Sequence, residues 1–215
     1  TMFVNPVKLE IDRSLNIGAF SKTREKLFLS FENKLEIRSL LNGSLEKEIL
    51  VPLDPGQQIS EMYVLEHRKK ILLHSRSLKD ETGKIKTSKI ILVDMVSGKI
   101  DYVVELDAEF VVSTLATSQD ESMIALGSFS GAIQIRSLQD GLIIQNLKLS
   151  PSEKRLGNTP VIIEWGVRSD TAEELLLVAQ DDGTVEVRET EAFEVIARLT
   201  SKSVVNDIGE AMKKK

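Results

Sequence analysis

Hydrophobic and polar residues alternate along short segments of this chain, and the clearest case is Met123–Leu149. The segment divides into three apolar runs, MIALGS, AIQIRSL and LIIQNLKL, separated by turns at Phe129-Ser130-Gly131 and Gln139-Asp140-Gly141. In the middle run Ile133 and Ile135 alternate with polar neighbours, which is the period of a strand buried on one face. The pattern therefore predicts three antiparallel strands joined by tight turns.

The same pattern occurs four times, at intervals of roughly 40 to 55 residues. The third strand of each copy is found in KLEIRSLLNGS, KIILVDMVSGK, AIQIRSLQDGL and TVEVRETEAFE, where the corresponding apolar positions are Ile37, Leu92, Ile135 and Val187. Two apolar runs precede each of these segments and one follows it, the last being FEVIARLT at residues 193–200. The chain is therefore predicted to be all-β, with four-stranded antiparallel meanders at about residues 12–51, 59–106, 110–149 and 160–200.

Meanders of four strands at this spacing resemble the WD40-type repeats of β-propellers. In that family the third strand ends apolar-x-apolar-Trp-Asp. Here the Trp position holds Arg38, Val93, Arg136 and Arg188, and the Asp position holds Ser39, Asp94, Ser137 and Glu189. The resemblance covers residues 1–203 and implies a WD40-like β-propeller or partial propeller of about four blades, with residues 204–215 as a tail or the start of a further segment.

The departures from the family pattern have a structural interpretation. An Arg in place of Trp can cover apolar surface between blades with its stem while its guanidinium reaches water or a carbonyl. Arg38, Arg136 and Arg188 are therefore interpreted mainly as blade-to-blade contacts, and an anion-binding ring is the less favoured alternative. Trp165, the one tryptophan of the sequence, is expected to pack in the core.

The number of predicted blades raises a question of completeness, because propellers of this type mostly have roughly six to eight blades. Four stacked blades leave an apolar face at each end, and such faces usually mark interfaces. Three explanations are open. The sequence is the N-terminal part of a longer chain, which is the favoured one; a partner or a second copy completes the ring; or the four blades close on themselves.

Composition narrows the class of protein. The 215 residues are 41% hydrophobic and 28% charged, with a net charge of -5, as in ordinary globular domains and unlike a globally basic nucleic-acid binder. Cysteine is absent, which excludes disulfides and thiolate metal sites and fits an intracellular location, cytoplasmic or nuclear. The sequence shows no apolar run of the length that a membrane span needs and no secretory signal pattern.

Candidate catalytic residues are few. The two histidines, His67 and His74, do not form a recognisable Ser-His-Asp arrangement, and no metal-binding, phosphate-binding or dinucleotide-binding motif occurs. Asp140 and the pair Asp181-Asp182 precede glycines, as in tight hairpin turns. The expectation is a non-enzyme without cofactor or metal.

Loops offer the main candidates for partner binding. The longest predicted loops are Val51–Gln58, Arg76–Ser88 and Ser150–Thr159, and blade topology places all three on one face, together with the turns at Phe129 and at Asp181-Asp182. Loops on a rigid scaffold are frequent recognition sites. The predicted partner-binding residues are an apolar anchor, a basic rim and the two turn acids: Phe129, Lys84, Lys86, Lys154, Arg155, Asp181 and Asp182.

These features together predict a non-catalytic protein-interaction scaffold or adaptor subunit of a larger complex. Its partners would be other proteins, one of which could complete the propeller. The alternative is a nucleic-acid-associated scaffold, for example a ribosome-assembly subunit. Aromatic residues make up 5% of the chain and do not alternate with basic ones, so a base-stacking surface for RNA is not supported.

Overall fold

The computed structural model describes residues 14–23, 25–77, 87–149 and 159–200. The described residues form sixteen β-strands and no helix, in four antiparallel sheets of four strands each. Two compact units contain two sheets each, Thr1–Ala108 and Glu109–Lys215. Within the described residues there is no helix long and apolar enough to cross a membrane.

The first unit contains sheets 1 and 2, in which each strand pairs with its neighbours in sequence. Sheet 1 consists of β1 (Ile17–Phe20), β2 (Lys26–Phe31), β3 (Lys34–Ser39) and β4 (Leu45–Leu50). Sheet 2 consists of β5 (Gln57–Leu65), β6 (Lys70–Ser77), β7 (Ser88–Asp94) and β8 (Ile100–Leu106).

The second unit contains sheets 3 and 4, which have the same topology. Sheet 3 consists of β9 (Val112–Thr117), β10 (Met123–Ser128), β11 (Ala132–Ser137) and β12 (Ile143–Lys148). Sheet 4 consists of β13 (Pro160–Val167), β14 (Glu174–Gln180), β15 (Val185–Glu189) and β16 (Val195–Leu199). The prediction of an all-β chain built from four-stranded meanders is confirmed.

The core of each unit lies between its two sheets. We name the face of sheets 1 and 3 that packs on the next sheet the forward face, and the face that receives it the rear face. Alternation of apolar residues supplies both faces, because successive side chains of a strand point to opposite sides. The buried clusters are Phe28, Leu35, Ile37, Ile49, Ile71, Leu73, Ile91 and Val93 in the first unit, and Ala125, Ile133, Ile135, Leu147, Ile163, Leu176 and Val178 in the second.

The closest approach between sheets 3 and 4 depends on Gly127 of β10. A Cβ at this position would lie 2.7 Å from Pro160 Cγ and 2.9 Å from Ile163 Cδ1. These distances are shorter than any normal carbon contact, so a larger residue at position 127 would push β13 away from β10. The glycine thus allows the first strand of sheet 4 to pack directly on sheet 3.

Two predicted strand limits are wrong, and both errors lie at turns. The last strand of sheet 4 starts at Val195 rather than at residue 193, because Phe193 has a left-handed φ of 59° and belongs to the turn. The predicted loop Val51–Gln58 is shorter than expected, since β5 already begins at Gln57.

Candidate functional site

Two turns of the second unit have the same construction. In each, the glycine at the fourth position donates its N–H to the carbonyl three residues earlier, Gly131 to Ser128 and Gly183 to Gln180, at 3.0 Å in both cases. The glycines have φ values of 83° and 84°, a conformation that costs glycine nothing and other residues more. Phe129 and Asp181 therefore occupy equivalent positions, each at the second residue of its turn.

Thr159 connects these two turns. Its hydroxyl donates to the carbonyl oxygen of Phe129 at 3.1 Å, and its backbone N–H donates to Oδ1 of Asp181 at 3.2 Å. The N–H of Asp181 in turn donates to the carbonyl of Thr159 at 3.0 Å. We name the surface formed by residues 128–131, Thr159 and residues 180–183 the turn surface.

Phe129 is the apolar group of the turn surface. Its side chain is 56% exposed, although its backbone is held at both polar atoms: the N–H donates to the carbonyl of Val111 at 3.0 Å, and the carbonyl accepts the Thr159 hydroxyl. An aromatic ring on a fixed backbone loses little conformational entropy when a partner covers it. The geometry thus offers a rigid apolar contact point.

Carboxylates lie next to this ring. Asp181 accepts the N–H of Thr159, and Asp182 Oδ1 accepts the N–H of Thr184 at 2.9 Å, so both acids also stabilise their own turn. Of the other predicted partner-binding residues, Lys84, Lys86, Lys154 and Arg155 lie outside the described residues. The structure thus brings together Phe129, Asp181 and Asp182, and the basic rim stays a prediction.

Sequence reasoning did not identify Thr159 as the connecting residue. It ends the predicted loop Ser150–Thr159 and bonds to residues 30 and 22 positions away in the chain. A threonine before a strand is common, and no local pattern distinguishes one that bridges two turns. Its role depends on the packing of sheet 4 against sheet 3.

The third strands of sheets 1, 3 and 4 each carry the same polar arrangement, which we name the arginine clamp. Arg38 donates from Nε to Glu36 Oε2 at 2.7 Å and from Nη1 to the carbonyl of Gly43 at 3.0 Å. Arg136 donates to Gln134 Oε1 and, at 2.9 Å, to the carbonyl of Gly141. The guanidinium therefore reaches a carbonyl, as the sequence predicted.

The clamp of sheet 4 extends to the neighbouring sheet. Arg188 donates from Nη2 to Glu186 Oε2 at 2.6 Å, from Nη1 to the carbonyl of Phe193 at 2.9 Å and from Nη2 to the carbonyl of Lys148 in β12 at 3.1 Å. The last bond joins two sheets, which confirms a blade-to-blade contact for this arginine. The hydrogen bonds of the clamp assign the guanidinium a structural role.

A common backbone feature explains the spacing of the clamp. In all three sheets the arginine follows a register shift between the third and fourth strands. The accepting carbonyl belongs to a residue with left-handed φ, namely Gly43, Gly141 or Phe193, at 72°, 75° and 59°. The bulge and the turn together point one carbonyl back at the strand, where a long donor can satisfy it.

His74 is the buried histidine of sheet 2, and its surroundings do not form a catalytic arrangement. Its Nδ1 lies 3.1 Å from Ser60 Oγ, and its Nε2 lies 3.0 Å from Ser88 Oγ. The Ser60 hydroxyl also donates to the carbonyl of His74, so Nδ1 carries the proton and Nε2 accepts from Ser88. Burial, assisted by the charge of Arg76, lowers the pKa of His74 to about 4.

Metal-binding groups are not assembled in the described ranges: no group of three or more His, Cys, Asp or Glu side chains there could hold a metal ion. Trp165 packs as the sequence predicted. Its Nε1 donates to the carbonyl of Ala116 at 3.3 Å, and its ring meets Phe193 edge-on with centroids 6.2 Å apart.

Comparison with known proteins identifies the fold. No family model matches the sequence, and no curated protein matches it. Among solved structures, the chain is similar to the Pan2 WD40 domain of Neurospora crassa, with a TM-score of 0.58, 9% identity, and coverage of 86% of this chain and 49% of that one.

Two further structures agree with this similarity. A chain of the mitotic checkpoint complex gives a TM-score of 0.60 at 15% identity, covering 87% of this chain and 52% of that one. A protein of unknown function from Bacteroides caccae gives 0.55 at 15% identity, covering 90% and 63%. The four sheets are thus WD40-like propeller blades, and the chain spans about half to less than two thirds of the length of these structures.

Proposed function

We propose that this protein is a non-catalytic interaction scaffold that binds another protein through the turn surface. The observation that carries the proposal is the link at Thr159, which fixes an exposed aromatic ring and two carboxylates on adjoining turns. Large aromatic side chains on a preorganised backbone are typical centres of protein–protein binding energy. A subunit of a larger assembly would use such a point to dock its neighbour.

The chemistry of the turn surface favours a particular kind of partner. An apolar pocket on the partner would receive Phe129, and basic residues around that pocket would face Asp181 and Asp182. Carboxylates near the contact point disfavour phosphate groups, so a protein partner is preferred over RNA at this surface. The predicted basic residues Lys84, Lys86, Lys154 and Arg155 would add a rim of opposite sign if they lie nearby.

Affinity purification with three baits tests the proposal. The wild-type chain, Phe129→Ala and Leu41→Ala are expressed at equal levels in the source cells, and the bound proteins are quantified by mass spectrometry. Leu41 is the matched control, because it is an exposed leucine in a turn of sheet 1. We expect a defined set of proteins to bind at least about tenfold less to Phe129→Ala.

The control separates a specific loss from a general one. Leu41→Ala should retain the set that Phe129→Ala loses, and both variants should melt within a few degrees of the wild type, since both side chains are exposed. An unchanged set of bound proteins with Phe129→Ala would exclude the turn surface as the partner site.

A further inference from the structure

The forward face of sheet 4 differs from the forward faces of sheets 1 and 3 at equivalent positions. Ile49, Leu147 and Leu199 occupy the same place in the fourth strand of their sheets. Ile49 and Leu147 are 4% and 7% exposed, whereas Leu199 is 42% exposed. The difference follows from packing, because sheets 2 and 4 cover the first two side chains, and no sheet of the second unit follows sheet 4.

Other residues of this face show the same contrast. In the third strand, Leu35 and Ile133 are fully buried, whereas Val185 at the equivalent position is half-buried. Ile162 of β13 lies in the same row as Val185 and Leu199 and is exposed. Sheet 4 thus has the aliphatic forward face of an internal blade without a blade upon it.

The rear face of sheet 1 is incomplete in the complementary way. Phe20 has the register position that Val64 occupies in sheet 2 and Trp165 in sheet 4. Trp165 bonds to the preceding sheet through the carbonyl of Ala116, whereas Phe20 is 64% exposed. Leu29, in the middle of this face, is already buried, so the incomplete part is the rim at Phe20.

The arginine clamp of sheet 1 agrees with this comparison. The side chain of Arg38 is 22% exposed, compared with 7% for Arg188 of sheet 4. Arg188 donates to the carbonyl of Lys148 on the preceding sheet, a bond that has no counterpart among the hydrogen bonds of Arg38 given above. The rim of sheet 1 therefore offers an aromatic ring and a guanidinium of the kind that sheet 4 uses to contact sheet 3.

We propose that the forward face of sheet 4 docks on the rim of sheet 1 of a second copy of this chain, so that two copies form a head-to-tail dimer. Phe20 of one copy would take the role of Trp165 against the row Ile162, Val185 and Leu199 of the other. Length supports two copies: the chain covers 49% and 52% of the two WD40-type chains described above. The contact lies outside the turn surface and is independent of it.

Mass in solution tests the dimer. Light scattering coupled to size exclusion should give a mass that rises towards twice the 24.0 kDa of the chain as the concentration increases from about 5 to about 500 µM. Phe20→Lys and Leu199→Lys should each remain monomeric over this range, whereas the control Leu41→Lys should dimerise as the wild type does.

A mixing experiment distinguishes the head-to-tail contact from other dimers. An equimolar mixture of Phe20→Lys and Leu199→Lys retains one unaltered contact, between sheet 4 of the former and sheet 1 of the latter, so dimer should reappear. A wild type that stays monomeric at all concentrations overturns the proposal. So does a Phe20→Lys variant that dimerises normally, because the contact would then be between two copies of sheet 4.

Folding of the variants is checked by thermal melting. Phe20 and Leu199 are exposed enough that lysine should leave the melting temperature within a few degrees of the wild type. If Leu199→Lys fails to fold, Ile162→Lys tests the same row from the first strand of the sheet. A folded Ile162→Lys that dimerises as the wild type does would equally contradict the proposal.

Discussion

In sheet 4 the third strand carries Arg188 bound to buried Glu186, whereas in sheet 2 the equivalent positions are Val93 and Ile91, both apolar and buried. The two strands have the same register shift before this position. Sheet 2 also keeps the left-handed turn residue, Gly98, with a φ of 75°. The two sheets therefore share a backbone and differ in what fixes the turn.

The turn of sheet 2 is fixed by its first residue instead. Asp94 accepts the N–H of Ser97 at 2.6 Å and bonds to Lys70 Nζ at 2.7 Å. A carboxylate near the surface thus does what a buried guanidinium does in sheet 4. The comparison shows that this blade position accepts either an apolar residue with a surface acid or an arginine with a buried acceptor.

Removing the acid of the sheet 4 clamp should have the largest effect. Glu186 is fully buried and bonds to Arg188 and Arg198, so Glu186→Ala leaves the Arg188 guanidinium buried without its countercharge. We expect the free energy of unfolding to fall by about 3–5 kcal/mol in a denaturant titration. Glu46→Ala, which removes an exposed pair with Lys26, should cost less than about 1 kcal/mol. Similar losses in the two variants would contradict the role of burial.

Acid should act on sheet 2 through His74. Because its pKa in the folded protein is about 4, below the ordinary value of about 6.5, the unfolded chain binds a proton first. The stabilisation is therefore complete above about pH 6.5 and is lost as the pH falls towards 4, by about 3 kcal/mol in total. Denaturant titrations of His74→Gln should lack this loss, whereas His67→Gln, in an exposed turn, should retain it. A His74→Gln profile parallel to the wild type would refute the assignment.

Transferring the residues of sheet 2 into sheet 4 should largely cancel the first effect. The double variant Glu186→Ile with Arg188→Val removes both charges and supplies the apolar pair of β7. Replacing a buried ion pair with packed apolar residues is often neutral, so the free energy of unfolding should stay within about 1 kcal/mol of the wild type. If the double variant is as unstable as Glu186→Ala, the carbonyl bonds of Arg188 rather than its charge balance hold the sheet.

The surface acid of sheet 2 should contribute least. Lys70, followed by the N–H and hydroxyl of Ser97, holds the pKa of Asp94 well below its usual range. Its stabilisation is therefore present near neutral pH and is lost only as the pH falls through the lowered pKa. Because the pair is partly exposed, Asp94→Asn should reduce the free energy of unfolding at pH 7 by less than about 1 kcal/mol. The same titration in high salt should narrow this difference, and a loss as large as that of Glu186→Ala would remove the contrast between the two sheets.

Local pattern was sufficient to predict the sheets. The run KLFLSF predicts a strand over residues 26–31, and β2 spans Lys26–Phe31, because alternation of side chains and the glycines at the turns are properties of neighbouring residues. The same reasoning placed Phe129 and Asp181 in turns. It failed at Phe193, which has the sequence of a strand residue, because the conformation there is tied to the carbonyl that Arg188 receives.

The sequence by itself thus determined the strands, their order in each meander and the turns that present Phe129 and Asp181. Tertiary structure alone decided that Thr159 joins these turns, that Glu186 is buried with two arginines, and that Leu199 is exposed where Ile49 and Leu147 are covered. The physical reason is range. Strand pairing within a meander follows from side-chain alternation along a few residues, whereas burial of a face depends on which sheet lies upon it.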